Sequence, residues 1–156
     1  MSRVLHISDL HLPFTHPQAL SFCKKLYKKY SCNKVVFAGD IIDHHAISFH
    51  ESDPDGMSAG DELKLARKMI KPWIKAFPKA HVTIGNHDAL TKRQAKANGI
   101  PSYMMRDLSE IYETPGWKWV MDVVIDDVLY FHGKGHGKNA ALNTALNERR
   151  SIAQGH

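Results

Sequence analysis

Five short groups in this 156-residue sequence carry side chains able to hold a divalent cation: Asp9-Leu10-His11, Gly39-Asp40-Ile41-Ile42-Asp43, Gly85-Asn86-His87-Asp88, His132-Gly133 and Gly155-His156. Each follows a short apolar run, and a run that forms a buried strand delivers the residues after it to one edge of a sheet. Carboxylate and amide oxygens gathered with imidazole nitrogens suit ions of intermediate hardness such as manganese, iron, zinc or magnesium. Neither cysteine falls in these groups, which argues against a closed structural zinc site. Several carboxylates converging in one pocket would repel one another and lose solvation unless cations offset their charge. The donor set therefore reads as a metal centre suited to phosphate chemistry.

Strands and helices must alternate to bring these groups together. Val4 to Ile7 reads as a first strand, Pro17 to Tyr30 as an amphipathic helix, and Val35 to Ala38 as a second strand. A polar loop around Glu51 to Gly56 precedes a helix from Ser58 towards Phe77, which Pro72 is expected to kink or split. Val82 to Ile84 is the third strand. Thr91 to Asn98 and Tyr103 to Tyr112 read as helices, with Gly99 and Pro101 between them. Lys118 to Ile125 and Val128 to Phe131 read as a hairpin around Asp126-Asp127. Asn139 to Arg150 is a last helix, and Ile152 to Gln154 begins a strand. The alternation implies parallel pairing in the first part and an α/β fold bordering on α+β, with the site beyond the carboxyl ends of the strands.

Length and composition set the bounds. The chain is expected to be one domain, 1–156, large enough to bury a core without disulfides. Cys23 and Cys32 lack metal-binding or redox spacing and read as reduced thiols. No apolar run reaches the roughly 20 residues needed to span a bilayer, and the N-terminus does not read as a signal peptide. The expected location is cytoplasmic, without a membrane partner. The formal net charge of +5 can favour nucleic acid, but Lys24, Lys25, Lys28 and Lys29 sit where the solvated face of a helix would be.

The succession Asp-x-His, Gly-Asp-x-x-Asp, Gly-Asn-His-Asp, His-Gly, Gly-His, from Asp9 to His156, resembles the calcineurin-like metallophosphoesterase superfamily. The resemblance implies a two-layer β-sandwich flanked by helices, here lacking its C-terminal strands. It also implies two divalent metal ions, manganese foremost, and hydrolysis of a phosphate ester substrate by a metal-bound hydroxide. Carried over, Asp9 and His11 bind the first metal, Asp40 bridges both, and Asn86, His132 and His156 complete the second. His87 serves as acid or phosphoryl-stabilising group, held by Asp43, whose carboxylate favours the protonated imidazole. The family's last motif is Gly-His-x-His. The chain stops at its first histidine, so a C-terminally truncated domain is the expectation, and the His156 terminal carboxylate or a neighbouring molecule is the alternative ligand.

Four further residues are candidates for substrate contact. Lys134 and His136 lie in a glycine-rich stretch that either meets phosphate or only turns near the metals. His44 stands where the protein-phosphatase branch has an arginine, and either takes over its phosphate contact or caps the loop. Arg93 faces phosphate or lies outside its helix. Two other readings remain beside phosphate-ester hydrolysis: a nuclease-like phosphodiesterase acting on nucleic acid, and a catalytically weak binding scaffold.

Overall fold

The structure is a computed structural model that describes residues 1–51, 53–133, 135 and 137–156. Strands β1 (Val4–Ile7), β2 (Lys34–Phe37), β3 (Ala80–Thr83) and β4 (Trp117–Val120) form a parallel sheet in that order. Strands β5 (Asp122–Ile125), β6 (Val128–Phe131) and β7 (Ile152–Gln154) form a second sheet, β5 antiparallel and β7 parallel to β6. The helices are α1 (Ala19–Lys29), α2 (Ala59–Ala76), α3 (Leu90–Ala97), the one-turn α4 (Leu108–Ile111) and α5 (Ala140–Glu148). None among the described residues is long and apolar enough to cross a membrane.

Alternation along the strands builds two cores. Leu5 and Ile7 of β1, Val35 and Phe37 of β2 and Val82 of β3 point towards α1 and α2, where Phe37 stacks on Trp117 and meets Trp73 edge-on. The intervening residues Val4 and Val36 point the other way and pack with Ile125, Tyr130, Val123 and Ala153 of the second sheet. Two sheets thus share one apolar layer while helices cover the outer face of the first, as expected of a helix-flanked sandwich. On α1, Leu20, Cys23, Leu26 and Tyr27 meet the core and Lys24, Lys25, Lys28 and Lys29 are exposed. Cys23 and Cys32 are free thiols.

Three expectations need correction. Lys118 to Ile125 is not one arm of a hairpin: β4 completes the first sheet beside β3, the chain changes layer at Met121, and only β5 pairs with β6. Trp117 and Trp119 pack in the helix-covered core and Val123 and Ile125 in the layer between the sheets, yet all four have the same parity, so hydropathy alternation cannot reveal the break. Tyr103 to Tyr112 is not one helix but a 3₁₀ turn (Ser102–Met104) and α4, separated by extended backbone at Met105 and Asp107. Pro72 does not split α2, which runs on to Ala76.

Ala66, Ile70 and Trp73 are buried on α2, and Ser58 caps it by accepting the Asp61 N–H at 3.2 Å. Burial of this face holds the helix together across the proline. Pro72 itself is exposed and has no N–H to donate to the preceding turn. Pro72→Ala should therefore raise the unfolding free energy in urea by about 1–3 kcal/mol; unchanged or lower stability would show that the proline geometry itself is needed.

Candidate metal centre

The donors are set by apolar residues that stay in the core past the strand ends. In Asp9-Leu10-His11-Leu12, Leu10 and Leu12 are buried; in Asp40-Ile41-Ile42-Asp43, the two isoleucines are buried. Apolar side chains thus anchor the loops in the core and leave the polar ones at the sheet edge. The loops also pair with each other: Asp9 N–H donates to Gly39 O at 3.2 Å, His11 N–H to Asp40 O at 3.0 Å, Leu12 N–H to Ile41 O at 2.9 Å and Asp43 N–H to Leu12 O at 3.0 Å. Asp9, His11 and Asp40 all take the left-handed backbone conformation, at φ of 54°, 44° and 52°. Three such non-glycine residues together mark a site held against local preference.

The third loop docks on the second through two carboxylates. Asp88 is fully buried and accepts N–H bonds from Gly85 at 3.0 Å, Asp40 at 2.8 Å and Ile41 at 3.0 Å. In return Asp40 Oδ1 accepts the His87 N–H at 2.9 Å. Burial raises the Asp88 pKa to about 6, helped by the Asp40 charge and opposed by the three N–H donors. Gly85 permits this approach, since a Cβ there would run into the Asp40 carboxylate. The sequence marks Asp88 only by its place in the Gly-Asn-His-Asp group after a strand.

Asp40 is the meeting point of the donors. One of its carboxylate oxygens, with one ring nitrogen each of His11 and His87, forms a set whose atoms lie within 4.8 Å of one another; Asp40 with His132 and His156 forms a second such set. His11 Nε2 is 3.9 Å from both Asp9 Oδ1 and Asp40 Oδ2. His132 Nδ1 donates to the Ala38 carbonyl at 2.7 Å, which turns Nε2 into the site. There Nε2 lies 3.1 Å from Asp40 Oδ2, 2.9 Å from Asn86 Oδ1 and 2.9 Å from His156 Nδ1. The His156 N–H donates to Asp9 Oδ2 at 3.1 Å.

This donor set fits a cation. An imidazole lone pair, a carboxylate oxygen, an amide oxygen and a second imidazole nitrogen cannot all satisfy one another as hydrogen-bond acceptors at about 3 Å. A shared proton or a cation resolves the conflict. Burial lowers the His132 pKa, but the bonds to Asp40 and Ala38 outweigh it and the net direction is upward. Burial raises the Asp40 pKa, but His132 and His87 outweigh it and hold the carboxyl below its usual value.

The remaining candidates divide. The resemblance puts the Asp43 carboxylate on His87; its Oδ1 meets His11 Nδ1 at 2.7 Å and lies 3.8 Å from His87 Nδ1, which donates to the Asp43 backbone carbonyl. His44 is buried, with Nε2 and the Tyr112 hydroxyl sharing a 2.6 Å hydrogen bond, so it does not face a phosphate. Arg93 stacks over the Phe49 ring at 4.9 Å. Lys134 and His136 lie outside the described residues. Two clefts adjoin the donors. One of about 520 Å³ includes Asn86, Lys92, Leu108, Met121, His132 and His156 in its wall; the other, of about 440 Å³, includes Phe14, Asp43, His45, Asp53, Asp55 and Glu62.

The sequence matches the calcineurin-like phosphoesterase family model over residues 2–153. Among solved structures it is similar to the Pseudomonas putida nuclease MPE, at 17% identity and a TM-score of 0.40, the match covering 87% of this chain and 56% of that one. The chain thus spans little more than half the length of that nuclease. Comparison with curated proteins returns no match.

Burial lowers the His44 pKa to about 4, the His87 charge adding to the effect and Asp43 opposing it. The unfolded value is about 6.5, so the neutral ring favours folding: its contribution is complete above pH 6.5 and disappears as pH falls through 4. His44 has φ of 54°, which asparagine tolerates. Urea unfolding at successive pH values should therefore show His44→Asn losing roughly 3 kcal/mol less than the parent between pH 7 and pH 4. Parallel curves would reject the assignment.

Proposed function

This chain belongs to the calcineurin-like phosphoesterase family, whose members are metal-dependent phosphoester hydrolases, and we propose that it hydrolyses phosphate esters at a centre of two divalent ions, with manganese the first choice of metal. The observation that carries the reading is the sharing of Asp40 between two sets of ligand atoms. A bridging carboxylate is a natural means of holding two ions about 3.5–4 Å apart. Asp9, His11 and Asp40 would hold the first, and Asp40, Asn86, His132 and His156 the second. When bound, the ions supply charge to offset the phosphoryl oxygens and to activate the attacking water.

The chain's own groups then have distinct tasks. His87 is assigned the proton. Because its Nδ1 hydrogen is committed to the Asp43 carbonyl, Nε2 is the nitrogen available to a phosphoryl or leaving oxygen. Its N–H bond to Asp40 ties its position to the same carboxylate that the two ligand sets share. Asp43 fixes the His11 ring through Nδ1, leaving Nε2 towards Asp9 and Asp40.

The deciding assay is turnover of p-nitrophenyl phosphate and bis-p-nitrophenyl phosphate by protein stripped of metal and reloaded with manganese. Metal-dependent turnover is the expected outcome, and its absence rejects the proposal. Manganese should also raise the melting temperature relative to protein in chelator; identical temperatures would count against a centre held by these carboxylates. His87→Ala should slow turnover by about 10²–10⁴ while the metal content stays that of the parent. Loss of metal would instead make His87 a ligand beside His11 and Asp40.

A further inference from the structure

The cleft beside Asn86, His132 and His156 does not end at the donors. Lys92, on the first turn of α3, borders it and also borders a third cleft of about 540 Å³, whose wall includes Lys96, Ile100, Pro101, Ser102 and Met105. Lys92 is the residue that the two clefts share, so recessed surface lies on both sides of it, one part beside the centre and one along α3. Lys92 and Lys96 lie four residues apart on one helix face, a rise of about 6 Å. Both are exposed, and among the described residues neither makes an ion pair with a carboxylate. The one side-chain carboxylate in the described walls of the two clefts is Asp88, buried beneath its three N–H donors.

The other cleft that adjoins the donors has the contrary charge. Asp43, Asp53, Asp55 and Glu62 contribute to that cleft, so an anionic chain that placed one phosphate at the metals would be repelled there and drawn towards Lys92. Tyr103 follows the cleft residue Ser102 and is 86% exposed, with its ring unburied by the fold. A solvent-facing aromatic ring next in sequence to a residue of a cleft that two lysines border is the kind of group that, with those lysines, binds a flexible phosphodiester chain, lysine to phosphate and ring to base.

We infer that the surface from Asn86 past Lys92 and Lys96 to Tyr103 is a track for single-stranded nucleic acid, which makes a nucleic-acid phosphodiester the substrate class of the centre. The inference rests on the proposed phosphoester hydrolysis for its catalytic part and on that surface alone for its binding part. Lys92 and Lys96 take successive phosphates, and Tyr103 stacks on a base. A small monoester would leave the cleft beyond Lys92 unused, and a duplex would present its bases to one another instead of to Tyr103.

The test is fluorescence anisotropy of manganese-loaded protein with a fluorescein-labelled single-stranded oligothymidylate carrying phosphorothioate linkages, beside bis-p-nitrophenyl phosphate turnover by the same preparation. The parent should bind the strand with a salt-dependent affinity. Lys96→Ala should reduce the log–log salt slope by about one. Tyr103→Ala should weaken binding by at least about fivefold, the lower end of a single base stack. Both positions are exposed, and unchanged melting temperatures will confirm intact folds.

Absence of strand binding by the parent, or affinity and salt slope unchanged in both variants, overturns the track even if the small diester is turned over. Tighter binding of the corresponding duplex, or binding to phosphatidylglycerol vesicles that Tyr103→Ala abolishes, overturns it in favour of another occupant. Strand binding that depends on Lys96 and Tyr103, without turnover of the small diester, keeps the track and rejects the hydrolytic reading.

Discussion

A carboxylate with no access to solvent holds the centre together. Asp88 receives three backbone N–H groups, two from the loop after β2 and one from the loop after β3. Asp40 answers from the other side by accepting the His87 N–H. Each loop thus supplies a carboxylate to the other's backbone, and neither can shift without leaving a buried charge or buried N–H groups unsatisfied, at a cost of several kcal/mol. The place of Asp40 between the two donor sets and the orientation of Asn86 and His87 follow from this mutual clasp. It also explains why Gly85 has no side chain, since the clasp closes where a Cβ would stand.

The loop after β1 is held by different means. Its N–H groups pair with the carbonyls of the loop after β2, extending the parallel β1–β2 alignment beyond both strands to the Leu12–Ile42 bridge. Leu10, Leu12, Ile41 and Ile42 bury between the polar residues and resist any rotation of the loops. Left-handed backbone at Asp9, His11 and Asp40 works against local preference. Backbone pairing and apolar burial offset that strain and turn Asp9 and His11 towards Asp40.

Around the donors the polar groups form layers of support. The Asp43 carboxylate orients His11 while its carbonyl orients His87, so one residue positions two imidazoles by two different groups. Glu62, buried on α2, accepts the N–H groups of His45 and Ala46 at 3.2 and 3.3 Å and fixes the 3₁₀ turn His45–Ile47 to which they belong. His44 and Tyr112 link that turn to the segment leading into β4. The long α2, whose helical pattern is plain in the sequence, thereby reaches the centre through one carboxylate.

Short apolar runs at Val4–Ile7 and Val35–Phe37 and the helical spacing of Ala66, Ile70 and Trp73 settle local structure, because both are short-range patterns. The donor types are equally legible, since side-chain chemistry does not depend on the fold. Long-range geometry is different. The change of sheet at Met121 preserves the parity of Trp117, Trp119, Val123 and Ile125, so hydropathy cannot mark it. Asp43 meets His11 by its carboxylate, Tyr112 buries His44 across 68 positions, and Asp88 grips backbone 48 positions away. The sequence by itself determined which groups stand at the ends of which strands. Only the tertiary structure decided which of them touch, because those distances depend on how three loops pack against one another.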